Sequence, residues 1–323
     1  MSVDVQFYLN MCAHHDFSFF VLRNGPEWYK IRSELQKGFS HLKNVRDFLS
    51  HVDTVTQEFI EFLPHRRFDK NNEIDDMLDD LSRLNLELTC LLAFDERLNS
   101  FSDEQRRTNS KAEKIMKASS QINRLVLPTD QGFQLWRYFD TPAFIKIKKA
   151  SQYLEDVAIE LVAKKRENPG VSLLDQYLKN PNLDVKDLYA MTSDLILAGI
   201  HTTAFSTSFA LYHIANNPEV QDLIFEEASK ILPNRDSCLT PSMMNSEISY
   251  TRAVLKETFR LNPISVGVGR ILNKDMVLGG YLVPKEVRKV SIIREFSDKF
   301  LMSLLDDCRD AKSNLMSIGK IFP

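Results

Sequence analysis

Residues 194–209, DLILAGIHTTAFSTSF, form the centre of a long apolar stretch of the chain. Apolar positions recur at helical spacing around them, so we predict one buried helix from about Asp184 to Asn216. A glycine inside a helix costs about 1 kcal/mol relative to alanine, and buried hydroxyl groups need hydrogen-bond partners. A purely structural helix would be expected to lack both features. The stretch therefore indicates that something packs closely against this helix.

The composition is that of a globular protein. The chain has 323 residues, of which 43% are hydrophobic and 26% charged, and its formal net charge is -3. This charge balance argues against a nucleic-acid partner. The 4 cysteines form no CxxC pair, so neither a disulfide framework nor a zinc site is expected. We also predict no transmembrane helix, and we find no targeting sequence at the start of the chain.

Helical periodicity dominates the chain from residue 24 onward. Val52, Val55 and Phe59, for example, fall on one helix face. From Ile264 onward, short β-type runs separated by glycines replace this pattern. We therefore predict a mainly α fold with a small β region near the C-terminus.

Three motifs together resemble those of the cytochrome P450 monooxygenases. Residues 198–203 (AGIHTT) are similar to the family's oxygen-binding pattern A-G-x-[Asp/Glu]-T-T. Residues 257–260 (ETFR) resemble its E-x-x-R signature, and residues 28–32 (WYKIR) resemble the W-x-x-x-R of an early haem-contacting helix. The motifs occur in the family's order, so the resemblance implies a P450-like helical fold.

The resemblance covers residues 24–287, which we expect to form a partial P450 domain, incomplete at both ends. Residues 1–23 are expected to be an irregular N-terminal segment. Residues 288–323 do not resemble the family, and apolar residues from Ile293 to Leu304 have the spacing of an amphipathic helix.

The resemblance implies a haem-thiolate monooxygenase with Ala198, Gly199, His201 and Thr202 as catalytic residues. Gly199 would leave a notch through which a planar ligand approaches the helix backbone. Thr202 lies one turn after Ala198, so its hydroxyl can bond to the Ala198 carbonyl or to bound dioxygen and water. The alternative is a helix bent by threonine back-bonding around a bulky neighbour. His201 replaces the family's usual carboxylate, and we expect its imidazole to relay protons more slowly.

Three further residues are expected to bind the haem. Trp28 and Arg32 lie one turn apart, and a guanidinium suits a haem propionate; an amphipathic helix end with a buried Trp and an exposed Arg is the alternative. Arg270, in the apolar run VGVGRIL, is costly to bury without an anion and would be the second propionate ligand. Glu257 and Arg260 are expected to hold the fold around the cofactor, although their spacing is also that of an ordinary helix ion pair.

The motifs look mitochondrial rather than microsomal, and within that class they are most similar to insect steroid hydroxylases of the ecdysteroid pathway. This resemblance implies a mitochondrial location, a lipophilic steroid-like substrate and electrons from a ferredoxin. In that class, basic residues at the positions of Arg252 and Lys256 receive the ferredoxin; a solvated helix face is the alternative, which the sequence alone favours. We expect any peripheral contact with the inner membrane at residues 133–139, FQLWRYF.

One departure from the family bears on activity. In the family a cysteine holds the haem iron, in a loop of the form F-x-x-G-x-x-x-C-x-G, and these 323 residues contain no such loop. Cys308 is flanked by Asp307 and Asp310, which favour the neutral thiol over the thiolate, so we expect no metal ligand there. We therefore expect this chain to be inactive as written. The alternative function is that of a non-catalytic isoform or scaffold that binds ferredoxin or partner proteins.

Overall fold

Helices make up most of the computed structural model, as the periodicity predicts. It describes residues 25–39, 48–63, 77–130, 135–234, 237–264, 267–271, 274–278, 280–285 and 288–292. The long helix predicted from about Asp184 to Asn216 is confirmed as α7. The helices are α1 (Gly25–Phe39), α2 (Leu49–Phe62), α3 (Met77–Phe94), α4 (Lys111–Asp130), α5 (Pro142–Glu167), α6 (Leu173–Leu178), α7 (Val185–Ala215), α8 (Pro218–Ile231), α9 (Pro241–Ser246) and α10 (Ser249–Leu261), with a 3-10 turn at Leu135–Arg137.

The predicted β region consists of two antiparallel pairs. Strand β1 (Gly267–Ile271) pairs with β4 (Arg288–Ile292). Strand β2 (Met276–Leu278) pairs with β3 (Tyr281–Val283), and Gly280 between them has a φ of 84°, which favours glycine.

Strand β4 lies where the sequence was expected to leave the family pattern. Polar and apolar residues alternate over 289–292, and the backbone of residues 288–292 pairs with β1, so they do not belong to a helix. The amphipathic helix predicted from Ile293 to Leu304, and Cys308 after it, lie outside the described residues. So does the predicted irregular segment 1–23.

The described residues divide into two compact units. The first comprises the described residues within 25–208 and 237–244, and the second comprises those within 209–234 and 245–292. The WYKIR and AGIHTT motifs lie in the first unit. The ETFR motif and the four strands lie in the second.

Helix α7 supplies core residues to the first unit. Ala204 packs in one buried cluster with Val55 and Phe59 of α2 and with Leu81 and Leu84 of α3. The apolar positions recur at helical spacing on α2 and on α3, so burial of their surface packs both helices against Ala204 of α7.

Helix α7 is also long and apolar enough, by length and composition alone, to cross a membrane. The sequence had predicted no such helix, and core helices of soluble proteins meet the same criterion. Only 22% of the apolar window is buried within the protein, but Ile196, Ile200 and Ala204 are fully buried, so the face of α7 that carries them packs in the core.

Candidate active site

The hydroxyl of Thr202 makes the hydrogen bond that its position on α7 predicts. Its Oγ1 donates to the carbonyl oxygen of Ala198 at 2.7 Å, and both residues are exposed. One turn further on, Ser206 Oγ donates to the Thr202 carbonyl at 2.8 Å. Helix α7 therefore presents an open face on which a hydroxyl group is held in place and keeps its lone pairs for another donor. The alternative, in which Thr202 only bends the helix by bonding back to its own backbone, would give the same hydrogen bond.

Gly199 has a different neighbour from the one predicted. A Cβ atom at this position would lie 2.3 Å from Thr89 Oγ1 and 2.8 Å from Thr89 Cγ2. The notch is therefore filled by a side chain of α3, so it is not open to a planar ligand. The glycine lets α3 and α7 pack closely, a role that sequence reasoning missed because Thr89 lies more than a hundred residues away.

His201 points toward α3 and α4, and its ring is partly buried. Its Nε2 atom is inaccessible and has no hydrogen-bond partner among the described residues. Burial lowers the pKa of the imidazole, against the opposing effects of a hydrogen bond with the Met116 backbone and of the Asp79 charge. His201 is therefore neutral at physiological pH.

A cavity of about 380 Å³ lies beside His201 within the first unit. It is bounded by α3, α4 and α7, and its lining includes Asp79, Glu113, Ser120 and Asn123 as well as His201. Sequence reasoning did not find this cluster of polar groups.

A buried arginine organises the acidic side of this cavity. Arg83 Nε donates to Asp79 Oδ2 at 3.0 Å, and its Nη2 donates to Glu113 Oε2 at 2.6 Å. The Asp79–Arg83 pair has the i, i+4 spacing of a helix ion pair, which was the only sequence signal for it. Lys117 lies 3.7 Å from Glu113 and adds a second cation.

The predicted haem-binding residues are placed as follows. On α1, Trp28 is half-buried and Arg32 is exposed, while Ile31 between them is fully buried. Arg270 lies in β1 opposite Lys289, and its side chain is outside the described part of the chain. The exposed guanidinium of Arg32 suits an anion, and it equally suits the alternative of an amphipathic helix end.

The ETFR motif forms the ion pair expected from its spacing. Arg260 Nε and Nη2 donate to the two carboxylate oxygens of Glu257 at 2.8 and 2.6 Å, and the Glu257 side chain is only 5% exposed. Such a bidentate pair fixes both side chains at the last turn of α10. This geometry fits a structural role.

Arg252 and Lys256 lie one turn apart on α10, with Arg252 exposed and Lys256 half-exposed. Glu227 of α8 fixes the first turn of this helix by accepting hydrogen bonds from the backbone N–H groups of Tyr250 and Thr251 at 2.7 and 2.8 Å. Burial opposes ionisation of Glu227, but these bonds and the Thr251 hydroxyl lower its pKa. The two cations are therefore displayed from a well-anchored helix.

Neither cysteine in the described part of the chain has the surroundings of a haem ligand. Cys90 is buried in α3, where burial raises the pKa of its thiol and disfavours the thiolate. Cys238 is exposed in the segment before α9. Cys12 and Cys308 lie outside the described residues.

Comparison with known proteins gives a consistent result. The family model for cytochrome P450 matches residues 7–293, a range that extends beyond residues 24–287 on both sides. The chain is 51% identical over 264 residues to "Cytochrome P450 302a1, mitochondrial" of Drosophila melanogaster, which covers 81% of this chain and 53% of the relative.

Other relatives and a solved structure agree. "Probable cytochrome P450 12a5, mitochondrial" of Drosophila melanogaster is 31% identical over 274 residues, or 80% of this chain and 50% of the relative. The crystal structure of a cytochrome P450, CYP102L1, has the same fold, with a TM-score of 0.72 at 18% identity over 86% of this chain and 64% of that one. The chain thus spans about half the length of the curated relatives it matches. From its fold, its motifs and these relatives, the chain belongs to the cytochrome P450 family of haem-iron monooxygenases.

Proposed function

We propose that this chain is part of a mitochondrial haem-thiolate monooxygenase that hydroxylates a lipophilic, steroid-like substrate with dioxygen and electrons from a ferredoxin. The observation that carries the proposal is the open face of α7, where the Thr202 hydroxyl is held at 2.7 Å from the Ala198 carbonyl. The mitochondrial location is supported by the names of the relatives. The steroid-like substrate is supported by the similarity of the motifs to those of insect steroid hydroxylases.

Described residues of the first unit fit one face of a haem and one of its propionates. Ala198 and Thr202 are small and exposed, so a flat ring system can approach α7 there, while Arg32 offers an exposed guanidinium for a propionate. Arg270 would be the second propionate ligand. When bound, the haem supplies the iron on which dioxygen is activated.

Thr202 would act by hydrogen bonding on the open face. Because its proton is already donated to the Ala198 carbonyl, its oxygen is left to accept a hydrogen bond from water at the open face. Thr202→Val would keep the shape and remove this acceptor. We expect this variant of the haem-loaded enzyme to consume oxygen with less product formed per oxygen.

His201 would relay protons in place of the family's carboxylate. Its imidazole is neutral at physiological pH, because burial lowers its pKa, so it can accept a proton but carries few to give. We expect proton delivery to be slower than with a carboxylate. His201→Asp should therefore raise the product formed per oxygen consumed, and an unchanged yield would count against the relay.

Arg252 and Lys256 would bind the acidic ferredoxin. Both are presented from α10, whose first turn is anchored by Glu227, and complementary charge speeds association of such partners. Charge reversal at both positions should abolish pull-down of an acidic ferredoxin at low salt. Lys230→Glu at the end of α8 is the matched control; equal loss in both proteins would point to non-specific attraction.

Residues near the 3-10 turn would touch the inner membrane. Leu135, Tyr138 and Phe139 are 49%, 83% and 57% exposed, while Trp136 is buried against Phe144 with the ring centroids 5.5 Å apart. A buried anchor next to exposed aromatic side chains is typical of a segment at a lipid interface. Within FQLWRYF, the exposure of Leu135, Tyr138 and Phe139 supports this contact. Residues 133–134 lie outside the described residues.

Vesicle flotation tests the membrane contact. The chain should float with vesicles of anionic phospholipid, and replacement of Tyr138 and Phe139 by serine should prevent it. Replacement of the exposed Leu223 and Phe225 of α8 by serine is the control for a general loss of hydrophobicity. If both double variants float like the wild type, this segment is not the membrane contact.

A second candidate function is a scaffold that binds ferredoxin or partner proteins without turnover. It is favoured by one observation, that neither described cysteine has the surroundings of a haem ligand. We propose that this polypeptide by itself does not form a thiolate-ligated haem.

Haem reconstitution separates the two functions. The chain alone should give no thiolate-type band in a reduced carbon monoxide difference spectrum. The same chain joined at residue 293 to the ligand loop and following helix of the 51% identical relative should give that band, and its Arg32→Ala variant should bind haem more weakly. A thiolate-type band from the chain alone would refute the prediction of inactivity, and no band from the joined chain would refute the monooxygenase proposal.

A further inference from the structure

Helix α8 carries a carboxylate on the face that packs against α10, and both helices belong to the second unit. Val220 and Ile231 of α8 are buried, and Ile224 is partly buried against the cluster of Val220 and Val254. Glu227 lies on the same face of α8, because positions 220, 224, 227 and 231 recur at helical spacing. A carboxylate on an apolar face needs hydrogen-bond donors, and α10 supplies them.

The start of α10 is capped from outside the helix. Ile248 occupies the N-cap position, and its aliphatic side chain cannot accept the hydrogen bond that a serine or an asparagine would accept there. Glu227 acts in its place: Oε1 accepts from the Tyr250 N–H at 2.7 Å, and Oε2 accepts from the N–H and the hydroxyl of Thr251 at 2.8 and 2.7 Å. The first turn of α10 therefore depends on a residue of α8.

Arg252 lies directly after this capped turn. Its N–H donates to the Ile248 carbonyl at 3.2 Å, across the turn that Glu227 holds, whereas Lys256 lies one turn further into the helix. Because helices fray from their ends, loss of the cap would displace Arg252 before Lys256.

We propose that Glu227 is a positioning residue for ferredoxin docking, which acts by fixing the place of Arg252 at the start of α10. This inference rests on the proposed ferredoxin-binding role of Arg252 and Lys256 and extends it to α8. Glu227 itself lies on the packed face of α8, so it acts through α10 and not as a contact of the partner.

The direction of the effect separates positioning from simple charge attraction. Glu227 has the same sign of charge as an acidic ferredoxin. Burial opposes its ionisation, but the hydrogen bonds from α10 lower its pKa, so it is ionised at neutral pH. By charge alone, removal of this carboxylate would strengthen the association. By positioning, removal weakens it, because Arg252 is then presented from a frayed turn.

Isothermal titration of this chain, without haem, with a purified acidic [2Fe–2S] ferredoxin at low salt tests the proposal. Glu227→Gln should weaken binding about fivefold, which corresponds to roughly 1 kcal/mol. Glu226→Gln is the matched control, because Glu226 is the adjacent carboxylate and is exposed; its binding should be unchanged or slightly tighter. Equal or tighter binding in Glu227→Gln would overturn the proposal.

Two backgrounds show whether Glu227 acts through Arg252. Added to Arg252→Ala, the change Glu227→Gln should alter binding by less than about twofold, because the residue that it positions is gone. Added to Lys256→Ala, it should keep its full effect of about fivefold. An equal effect in both backgrounds would mean that Glu227 acts on the protein as a whole, and the positioning role would be wrong.

Hydrogen–deuterium exchange of the Tyr250 and Thr251 amides checks the cap without a partner. Glu227→Gln should speed their exchange about fivefold, and Glu226→Gln should not; unchanged exchange in Glu227→Gln would show that the turn is held without Glu227. Thr251→Val removes only the hydroxyl bond to Glu227. This milder variant should weaken ferredoxin binding in the same direction, which provides the test if Glu227→Gln does not fold.

Failure of this inference is distinguishable from failure of the proposed function. A wild-type chain that does not bind ferredoxin would refute the partner assigned to Arg252 and Lys256, and this inference with it. A wild-type chain that binds, with no loss in Glu227→Gln, would refute this inference alone. The carbon monoxide test of the joined chain is independent of both outcomes.

Discussion

The packing of Gly199 against Thr89 predicts that Gly199→Ala destabilises the protein. An alanine Cβ would lie 2.3 Å from Thr89 Oγ1, 2.8 Å from Cγ2 and 3.1 Å from Cβ. All three distances are shorter than the contact distance of about 3.5–4.0 Å between non-bonded carbon atoms. Rotation about χ1 of Thr89 can move Oγ1 and Cγ2 but leaves its Cβ in place, so the backbones of α3 and α7 must separate.

The expected magnitude is the difference of two opposing contributions. Overpacking of this kind costs about 1–3 kcal/mol, while replacement of glycine by alanine within a helix returns about 1 kcal/mol. We therefore expect Gly199→Ala to lower the free energy of unfolding by up to about 2 kcal/mol. Thr89→Ala removes the two nearest atoms, so in the double variant most of this loss should disappear, with a coupling energy of about 1 kcal/mol.

Urea unfolding followed by circular dichroism gives the free energy of unfolding of the wild type, of the two single variants and of the double variant. Their midpoints can be compared directly provided that the slopes m agree. If Gly199→Ala instead raises the stability by about 1 kcal/mol, as in an open helix, the space at Gly199 is free and the packing argument is wrong. A loss that Thr89→Ala does not relieve would place the clash elsewhere.

Three further predictions concern stability. Glu257→Gln should cost about 2 kcal/mol in urea unfolding, because it removes the buried charge from the bidentate ion pair with Arg260, whose side chain is 23% exposed; an unchanged midpoint would argue against a structural role. Tyr177→Phe should cost about 1 kcal/mol, since it removes the buried hydrogen bond at 3.0 Å to the Leu35 carbonyl; a gain in stability would contradict this. Burial lowers the pKa of His201 in the folded protein. Above about pH 6.5 the imidazole is neutral in both the folded and the unfolded state, so it does not destabilise the fold. As the pH falls from there through the folded pKa, the unfolded state binds the proton first, and the free energy of unfolding decreases. The free energy of unfolding should change less with pH in that window in His201→Gln, and an unchanged slope would exclude His201 as the source of the pH dependence.

Local spacing was sufficient for the features that depend on neighbours within one turn. The bounds of α7, the hydrogen bond from Thr202 to Ala198 and the ion pair between Glu257 and Arg260 all follow from contacts three or four residues apart. The family assignment rested on these same short motifs.

Long-range contacts could not be predicted in this way. The neighbour of Gly199 lies on α3, and nothing near the glycine in sequence specifies it. The partner strand of β4 is likewise about twenty residues away along the chain, so a four-residue alternation was too weak to predict it. The cavity requires α3, α4 and α7 together, and its charged lining is distributed over three separate stretches of sequence.

The geometry of α7 explains why the residues of the AGIHTT motif do not all lie at the open face, as the sequence analysis had predicted. Successive residues of an α-helix are rotated by about 100°, so Ala198 and Thr202 share a face while Gly199 and His201 lie on either side of it. The structure assigns these flanks to different neighbours: Gly199 packs against Thr89, and His201 lines the cavity between α3 and α4. Separate arcs of one helix thus carry the open face with Ala198 and Thr202, the contact of Gly199 with α3, and the imidazole of His201. A change at Gly199 acts first on packing, whereas a change at Thr202 acts first on the exposed face, so the two positions of the motif have different physical consequences.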